Sequence, residues 1–274
     1  MVGRRERTER MKRRNVLTVL LAVACLVGLI GAGNHLYSLK KSAQAQTDAV
    51  LEVELPQEQV PLEEKPVREI PVVEEEPEEP DPYAEELSLT DLEALREVNP
   101  DVVGWISIPE TQLSYPLLQG EDNEYYLNHT WEKEWSSAGS IYLESQVSSD
   151  LSDFNTLVYG HRMRDGSLFG SLRDYNKQDH WEKYPCVYIA DDNGVHRYDI
   201  FAAHEVGVRE ITYGLKIESE KVKQAFIDFS LERSVIDTGV VPTVEDRILT
   251  MSTCTGTGYD TRWVVQARLA KTYA

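Results

Sequence analysis

A cysteine and an arginine stand at the two ends of one short loop near the C-terminus. Cys254 closes one apolar run, and Arg262, eight positions later, opens another; Gly256 and Gly258 lie between them. This pattern predicts a strand, a loop and a second strand. A thiolate is a nucleophile and a guanidinium keeps its charge at physiological pH, so the pair could form a covalent intermediate and hold its oxyanion. A cysteine at a strand end is also often a small buried hydrophobe, and this loop alone fits both interpretations.

A histidine that follows a strand is the second candidate for chemistry. His161 comes directly after the apolar run 155–159 and one glycine. This position places an imidazole at the rim of a sheet, where it can transfer protons near neutral pH. His204 also lies on a strand-like run, 197–204, and is the rival for this role. The other four histidines lie in polar stretches, beside a turn or beside the N-terminal apolar run, and we interpret them as surface or packing residues.

Two motifs resemble those of sortases. The sequence YGH at 159–161, together with 162–172, resembles the sortase histidine segment. The sequence TMSTC at 250–254 resembles the sortase TLxTC signature with Met251 in the leucine position, a substitution that conserves volume. The stretch 99–127 is similar to the opening strands of class B sortases. The resemblance therefore extends from about residue 87 to the C-terminus.

The resemblance implies a cysteine transpeptidase that uses no metal and no cofactor. Cys254 would attack the carbonyl of a threonine in the sorting signal of a secreted surface protein and form a thioester. His161 would protonate the departing amine and deprotonate the incoming one, which would belong to peptidoglycan or to its lipid-linked precursor. Arg262 would bind the substrate or the oxyanion, and Thr253 and Ser252 would contact the substrate. Members of class B read Asn-Pro-x-Thr, Ser-Pro-x-Thr or related signals, and the resemblance does not choose among them.

Two alternative functions use the same features. A membrane-tethered cysteine protease would release the acyl group to water instead of an amine. A non-catalytic scaffold associated with the cell wall would need no reactive thiol. The acceptor of the acyl group and the effect of replacing Cys254 distinguish the three hypotheses.

The resemblance also implies the fold class, which is mostly β with added helices. We expect a sortase-like closed β-barrel with an N-terminal helix and a helix inserted before the cysteine strand. The pattern itself predicts short strands separated by turns, in a mostly antiparallel barrel or sandwich.

Two segments have the spacing of amphipathic helices. In 88–98 the cap is Ser88 or Thr90, and the apolar face consists of Leu89, Leu92 and Leu95. In 219–233 the apolar face consists of Val222, Ala225, Phe226 and Phe229.

Four regions divide the chain. Residues 1–15 form a basic tail that we place in the cytoplasm, and the uncharged run 16–33 is long enough for a transmembrane anchor. Residues 34–86 form an extracellular acidic, proline-rich stalk, and 87–274 form the catalytic domain. The predicted location is thus the cell membrane, with the enzyme outside. A signal peptide cleaved near 43–45 is the alternative, although the apolar run is longer than usual for one.

The net charge and the spacing of the cysteines argue against a nucleic-acid-binding protein, a zinc protein and a disulfide-stabilised protein. The net charge is −19, and the region 87–274 holds 30 acidic against 17 basic residues, so binding to nucleic acid is disfavoured. The three cysteines, Cys25, Cys186 and Cys254, form neither a CxxC pair nor a Cys/His ligand spacing. A zinc site and a disulfide framework are therefore not indicated.

Overall fold

The computed structural model describes residues 80–256 and 260–274. These residues contain eight β-strands: β1 (Val102–Ser107), β2 (Ser114–Leu118), β3 (Ile141–Leu143), β4 (Asn155–Tyr159), β5 (Cys186–Asp191), β6 (Gly194–Gly207), β7 (Ile248–Cys254) and β8 (Thr261–Tyr273). The strands form a closed barrel in the order β1, β2, β3, β4, β7, β8, β6, β5. The predicted closed barrel is confirmed.

Two of the strand pairs are parallel, β2 with β3 and β4 with β7, and the others are antiparallel. Strands β4 and β7 are buried along almost their whole length. Both strands also carry buried polar side chains, among them Asn155 and Thr250, whose hydroxyl donates to the Asn155 amide oxygen at 2.7 Å. Because β4 and β7 run in the same direction, their carboxyl ends meet at the same rim of the barrel.

Aliphatic side chains from most of the strands fill the barrel. Five that have no exposed surface are Ile106, Leu117, Val158, Leu249 and Val265. Full burial of one such side chain contributes roughly 1.5–3 kcal/mol. Met251, in the leucine position of the cysteine motif, is fully buried in the same cluster.

Four α-helices and three short 3-10 helices lie outside the barrel in the described residues. The α-helices are α1 (Pro82–Leu87), α2 (Leu92–Val98), α3 (Gln178–Lys183) and α4 (Glu220–Arg233). The 3-10 helices span Tyr125–Leu127, Ser171–Asn176 and Ile211–Tyr213.

Helix α2 is the predicted N-terminal helix, but it begins later than predicted. Its cap is Asp91, whose carboxylate accepts a hydrogen bond from the main-chain N–H of Ala94 at 2.9 Å. The hydroxyl of Thr90 instead donates to the carbonyl of Leu87, and Leu89 is 82% exposed. The prediction of Ser88 or Thr90 as the cap and of Leu89 on the buried face was therefore wrong.

The packed domain begins upstream of the predicted boundary at residue 87. The carboxylate of Asp81 caps α1 and also accepts hydrogen bonds from the phenols of Tyr188 (2.7 Å) and Tyr273 (3.0 Å). These contacts join α1 to β5 and β8, so the last residues of the predicted stalk region, from Asp81 onward, pack on the barrel.

Helix α4 confirms the predicted helix before the cysteine strand. Its buried residues are Phe226, Ile227 and Ser230, and the first two pack against Phe201 of β6 and Ile248 of β7. Val222 is 42% exposed, so the buried face is rotated from the predicted one.

The predicted cytoplasmic tail, anchor and most of the stalk lie outside the described residues. Among the helices that the structure describes, none is both long and apolar enough to cross a membrane.

Candidate active site

Three neighbouring strands bring the predicted site residues to one rim of the barrel. Strand β4 ends two residues before His161, and Cys254 is the last residue of the parallel strand β7. Strand β8 returns beside β7 with Arg262 directly paired to Cys254. All five predicted site residues line one pocket of about 250 Å³, namely His161, Ser252, Thr253, Cys254 and Arg262.

The thiol of Cys254 is accessible. Cys254 is exposed and is not in a disulfide, whereas Cys186, the other cysteine in the described residues, is partly buried on β5. Burial raises the pKa of the Cys186 thiol, which makes this thiol less reactive. Cys25 lies outside the described residues. The structure therefore places an accessible thiol in the pocket, as the motif predicted.

The imidazole of His161 is oriented by a main-chain carbonyl. Its Nε2 lies 2.8 Å from the carbonyl oxygen of Leu127. A carbonyl can only accept a hydrogen bond, so Nε2 carries a proton in this arrangement, and Nδ1 is the nitrogen that can take up and release the catalytic proton.

His204, the rival candidate, does not line this pocket. His204 is 1% exposed on β6, and neither ring nitrogen has a hydrogen-bond partner among the described residues. Its ring packs edge-on against Phe229 at 6.1 Å between centroids. Burial, together with the charge of Arg233, lowers the pKa of His204 to about 4. His204 is therefore a neutral core residue.

Thr253 joins the cysteine strand to the histidine segment. Its hydroxyl donates to the carbonyl of Gly160 at 2.7 Å, and the N–H of Gly160 donates to the carbonyl of Ser252 at 3.3 Å. Each of these bonds spans the exit of β4 and the end of β7. They set the spacing between Cys254 and His161, which directly follow the bonded residues.

Ser252 and Arg262 complete the side of the pocket around the thiol. The Ser252 hydroxyl lies 2.8 Å from the phenol oxygen of Tyr213, which comes from the 3-10 helix after β6. Arg262 donates from Nη1 to the carbonyl of Thr261 at 2.9 Å. Because Arg262 is the register partner of Cys254 and lines the same pocket, its guanidinium brings a fixed positive charge to this side of the pocket.

The loop after Cys254 requires a glycine. Gly256 has φ of +82°, a left-handed conformation that side chains other than glycine rarely adopt. The guanidinium of Arg162 occupies the space that a Cβ at this position would take. The loops that follow β4 and β7 are thus in contact.

Four further side chains line the pocket and form what we call its wall, and the sequence did not identify them as site residues. They are Asn123, Leu127, Tyr142 and Tyr159. Burial, then the charge of Glu144, raises the pKa of both tyrosines, and Cys254 adds to the effect on Tyr142. From the sequence, 122–127 was recognised only as a segment similar to class B sortases, and Tyr159 only as part of the YGH motif. The spacing of these residues did not indicate that they would line the pocket.

No cluster of metal ligands accompanies the site. Within residues 80–256 and 260–274, no three His, Cys, Asp or Glu side chains are grouped so that they could hold a metal ion.

Comparisons with known proteins agree with this geometry. The model of the sortase domain family matches residues 106–270. A curated relative, sortase B of Staphylococcus aureus, is 35% identical over 182 residues, which are 66% of this chain and 75% of the relative. Two solved structures, one described as a Staphylococcus aureus sortase B-substrate complex and one as sortase B complexed with Gly3, match with a TM-score of 0.63 at 34% identity. Each match covers 66% of this chain, and 85% and 86% of the respective solved chains. The chain therefore belongs to the sortase family and, within it, to class B.

Proposed function

We propose that this class B sortase, a cysteine transpeptidase, cleaves a threonine-containing sorting signal of secreted surface proteins and transfers the acyl part to an amine of the cell wall. The observation that carries the proposal is the placement of an exposed thiol at the end of β7, with Arg262 paired across from it and His161 in the same pocket.

The first half-reaction is acylation of the enzyme. The proton of the Cys254 thiol passes to His161, the sulfur attacks the threonine carbonyl, and Arg262 stabilises the negative charge that develops on the oxygen. The C–N bond then breaks, a thioester forms, and a proton from His161 passes to the departing amine. Thr253 supports this step by fixing the spacing of the two catalytic strands.

The second half-reaction transfers the acyl group to an amine. His161 takes a proton from the incoming amine, whose nitrogen attacks the thioester and releases the thiol. The solved complex of a sortase B with Gly3, a peptide that begins with a primary amine, supports an acceptor of this kind. We propose an amine of peptidoglycan or of its lipid-linked precursor as the natural acceptor.

An intact-mass assay tests the chemistry. The purified full-length chain is mixed with peptides that contain Asn-Pro-x-Thr or Ser-Pro-x-Thr, with and without triglycine. We expect a thioester adduct that triglycine converts to a transpeptidation product, and no adduct with Cys254→Ala. Cys186→Ala is the matched control, because it removes the other thiol of the described domain and leaves the pocket unchanged. Hydrolysis alone in the presence of triglycine would instead indicate a protease, and full function of Cys254→Ala in cells would indicate a scaffold.

We also propose a location outside the membrane, with residues 16–33 as an uncleaved anchor. The support is the basic segment 1–15 followed by an uncharged apolar run. Alkaline phosphatase fused after residue 274 should be active in intact cells, and the mass of the extracted protein should include the N-terminal segment. A mass that begins near residues 43–45 would instead show a cleaved signal peptide.

A further inference from the structure

A buried carboxylate lies behind the wall of the pocket. Glu144 directly follows β3 and is 5% exposed. Its Oε2 accepts a hydrogen bond from the phenol of Tyr159 at 2.9 Å, and its Oε1 accepts one from the side-chain amide of Asn123 at 2.7 Å. The hydroxyl of Ser145 and the main-chain N–H of Gln146 lie 3.3 Å from the same Oε1. A buried charge is costly unless it is hydrogen-bonded, and this one is bonded through both oxygens.

The carboxylate fixes the orientation of the Asn123 amide. The amide nitrogen donates to Glu144, and the amide oxygen accepts from the main-chain N–H of Ser145 at 2.8 Å. A rotated amide would place its oxygen against the carboxylate and its NH₂ group against another N–H. Asn123 is therefore held in one orientation at the edge of the pocket, with its donor end set by the charge of Glu144.

The two tyrosines of the wall depend on the same network. The phenol of Tyr142 donates to the main-chain carbonyl of Asn123 at 3.1 Å, and its ring lies 5.5 Å from the ring of Tyr159. Burial and then the charge of Glu144 raise the pKa of both phenols, so both remain protonated donors. The phenol of Tyr159 and the amide of Asn123 are thus bonded directly to this carboxylate, and the phenol of Tyr142 is linked to it through the main chain of Asn123.

We propose that Glu144 is a positioning residue for acylation. It holds the wall formed by Asn123, Tyr142 and Tyr159 in the shape that places the sorting peptide against Cys254. This inference rests on the proposed function, since it concerns the same peptide substrate. Glu144 acts through the wall, because Glu144 is not among the residues that line the pocket.

Glu144→Gln tests the proposal, because it keeps the size of the side chain but replaces one acceptor oxygen by a donor. Loss of a hydrogen bond to a charged group corresponds to about a 10- to 100-fold effect, and we expect a fall of this size in kcat/KM for peptide acylation. Glu144→Asp keeps the charge and should restore part of the activity. Glu182→Gln is the matched control, since Glu182 is an exposed carboxylate on α3, outside the pocket, and it should acylate like the wild type.

A second measurement distinguishes an effect on the wall from an effect on Cys254 and His161. Alkylation of Cys254 by iodoacetamide needs no peptide, so it reports on the thiol alone. We expect the alkylation rate of Glu144→Gln to match the wild type while acylation falls. A parallel fall in both rates would overturn the proposal, because Glu144 would then act on the thiol or on His161. Wild-type acylation by a folded Glu144→Gln chain would overturn it as well.

If Glu144→Gln does not fold, Tyr159→Phe tests the same proposal. This change removes only the hydroxyl that reaches Glu144. We expect slower acylation with unchanged alkylation, and in the double variant a combined loss smaller than the product of the two single losses. Normal acylation by Tyr159→Phe, or fully multiplicative losses, would contradict the proposal. If the proposed function itself is wrong, the wild type will form no adduct with the peptides. That result differs from all the outcomes above.

Discussion

The hydrogen bond from Thr253 to Gly160 gives the sharpest test of how the barrel positions its catalytic pair. The Thr253 side chain is 3% exposed, and its hydroxyl lies 2.7 Å from the Gly160 carbonyl. Cys254 and His161 are the next residues along the two chain segments. Thr253→Val removes the hydroxyl but keeps the branched shape, so it creates no cavity.

The expected loss of stability in Thr253→Val follows from the burial of the Thr253 hydroxyl. Loss of the bond, with a partly buried carbonyl left unpaired, costs about 1–3 kcal/mol of the free energy of unfolding. For a domain of this size, about 2–4 °C is lost per kcal/mol, so Tm should fall by about 2–12 °C. Misplacement of reacting groups by about 1 Å can cost about 100-fold in rate. We therefore expect peptide acylation by Thr253→Val to slow about 10- to 100-fold.

Thermal unfolding and single-turnover acylation by intact mass measure the two effects. Thr253→Ser keeps the hydroxyl and loses one methyl group, worth about 0.8 kcal/mol, so its acylation rate should stay near that of the wild type. Thr111→Val is a matched control, because the Thr111 hydroxyl makes a local bond of 2.8 Å to the carbonyl of Ile108, outside the pocket. If Thr253→Val lowers Tm but acylates at the wild-type rate, the bond is structural only and the positioning argument is refuted.

Three further changes test the fold around the site. Gly160→Ala would place a Cβ 2.7 Å from the ring of the fully buried Phe169, so we expect a cost of about 1–3 kcal/mol in thermal unfolding, together with slower acylation; unchanged values would show that the ring can move freely. Because burial lowers the pKa of His204 to about 4, the unfolded chain binds the proton more readily as pH falls from 6.5. Between pH 7.5 and 4 the wild type should therefore lose up to about 3 kcal/mol more stability than His204→Leu in denaturant titrations; equal losses would contradict this. Burial opposes ionisation of Asp81, but the hydrogen bonds that it accepts from Tyr188 and other groups outweigh burial and lower its pKa. Its contribution is present above pH 3.8 and lost below, so Asp81→Asn should cost about 1–2 kcal/mol at pH 7 and progressively less in acid, as followed by Tm; a constant difference would argue against it.

The catalytic side of the pocket could be predicted from sequence because each residue lies at the end of a strand that is recognisable locally. Cys254, His161 and Arg262 adjoin apolar runs, and the parallel pairing of β4 with β7 then brings two of them to the same rim. The part of the wall formed by Asn123 could not be predicted in this way. Asn123 lies in a loop, and its place depends on Glu144, 21 positions away, through a hydrogen bond that no periodicity encodes.

Competition between neighbouring capping side chains explains why the start of α2 was predicted wrongly. Ser88, Thr90 and Asp91 are all favourable helix caps, and the choice among them depends on which side chain reaches a free N–H. The hydroxyls of Ser88 and Thr90 donate backwards, to the carbonyls of Glu85 and Leu87, which leaves Asp91 to start α2. The spacing of Leu89 fits the helix period, but the helix starts after it.

The two sides of the pocket differ in how they are held, and this difference has a kinetic consequence. Cys254 and Arg262 are set by the register of β7 and β8, the Thr253 bond joins β7 to the exit of β4, and the carbonyl of Leu127 orients His161. In the wall, Tyr142 and Tyr159 lie on β3 and β4, and hydrogen bonds to the main chain of Asn123 and to Glu144 hold their phenols and the Asn123 amide. Changes in strand spacing should therefore slow both alkylation and acylation of Cys254, whereas changes in the wall should slow acylation alone. If Thr253→Val and Glu144→Gln altered both rates in the same proportion, the pocket would behave as one cooperative unit and the division would be wrong.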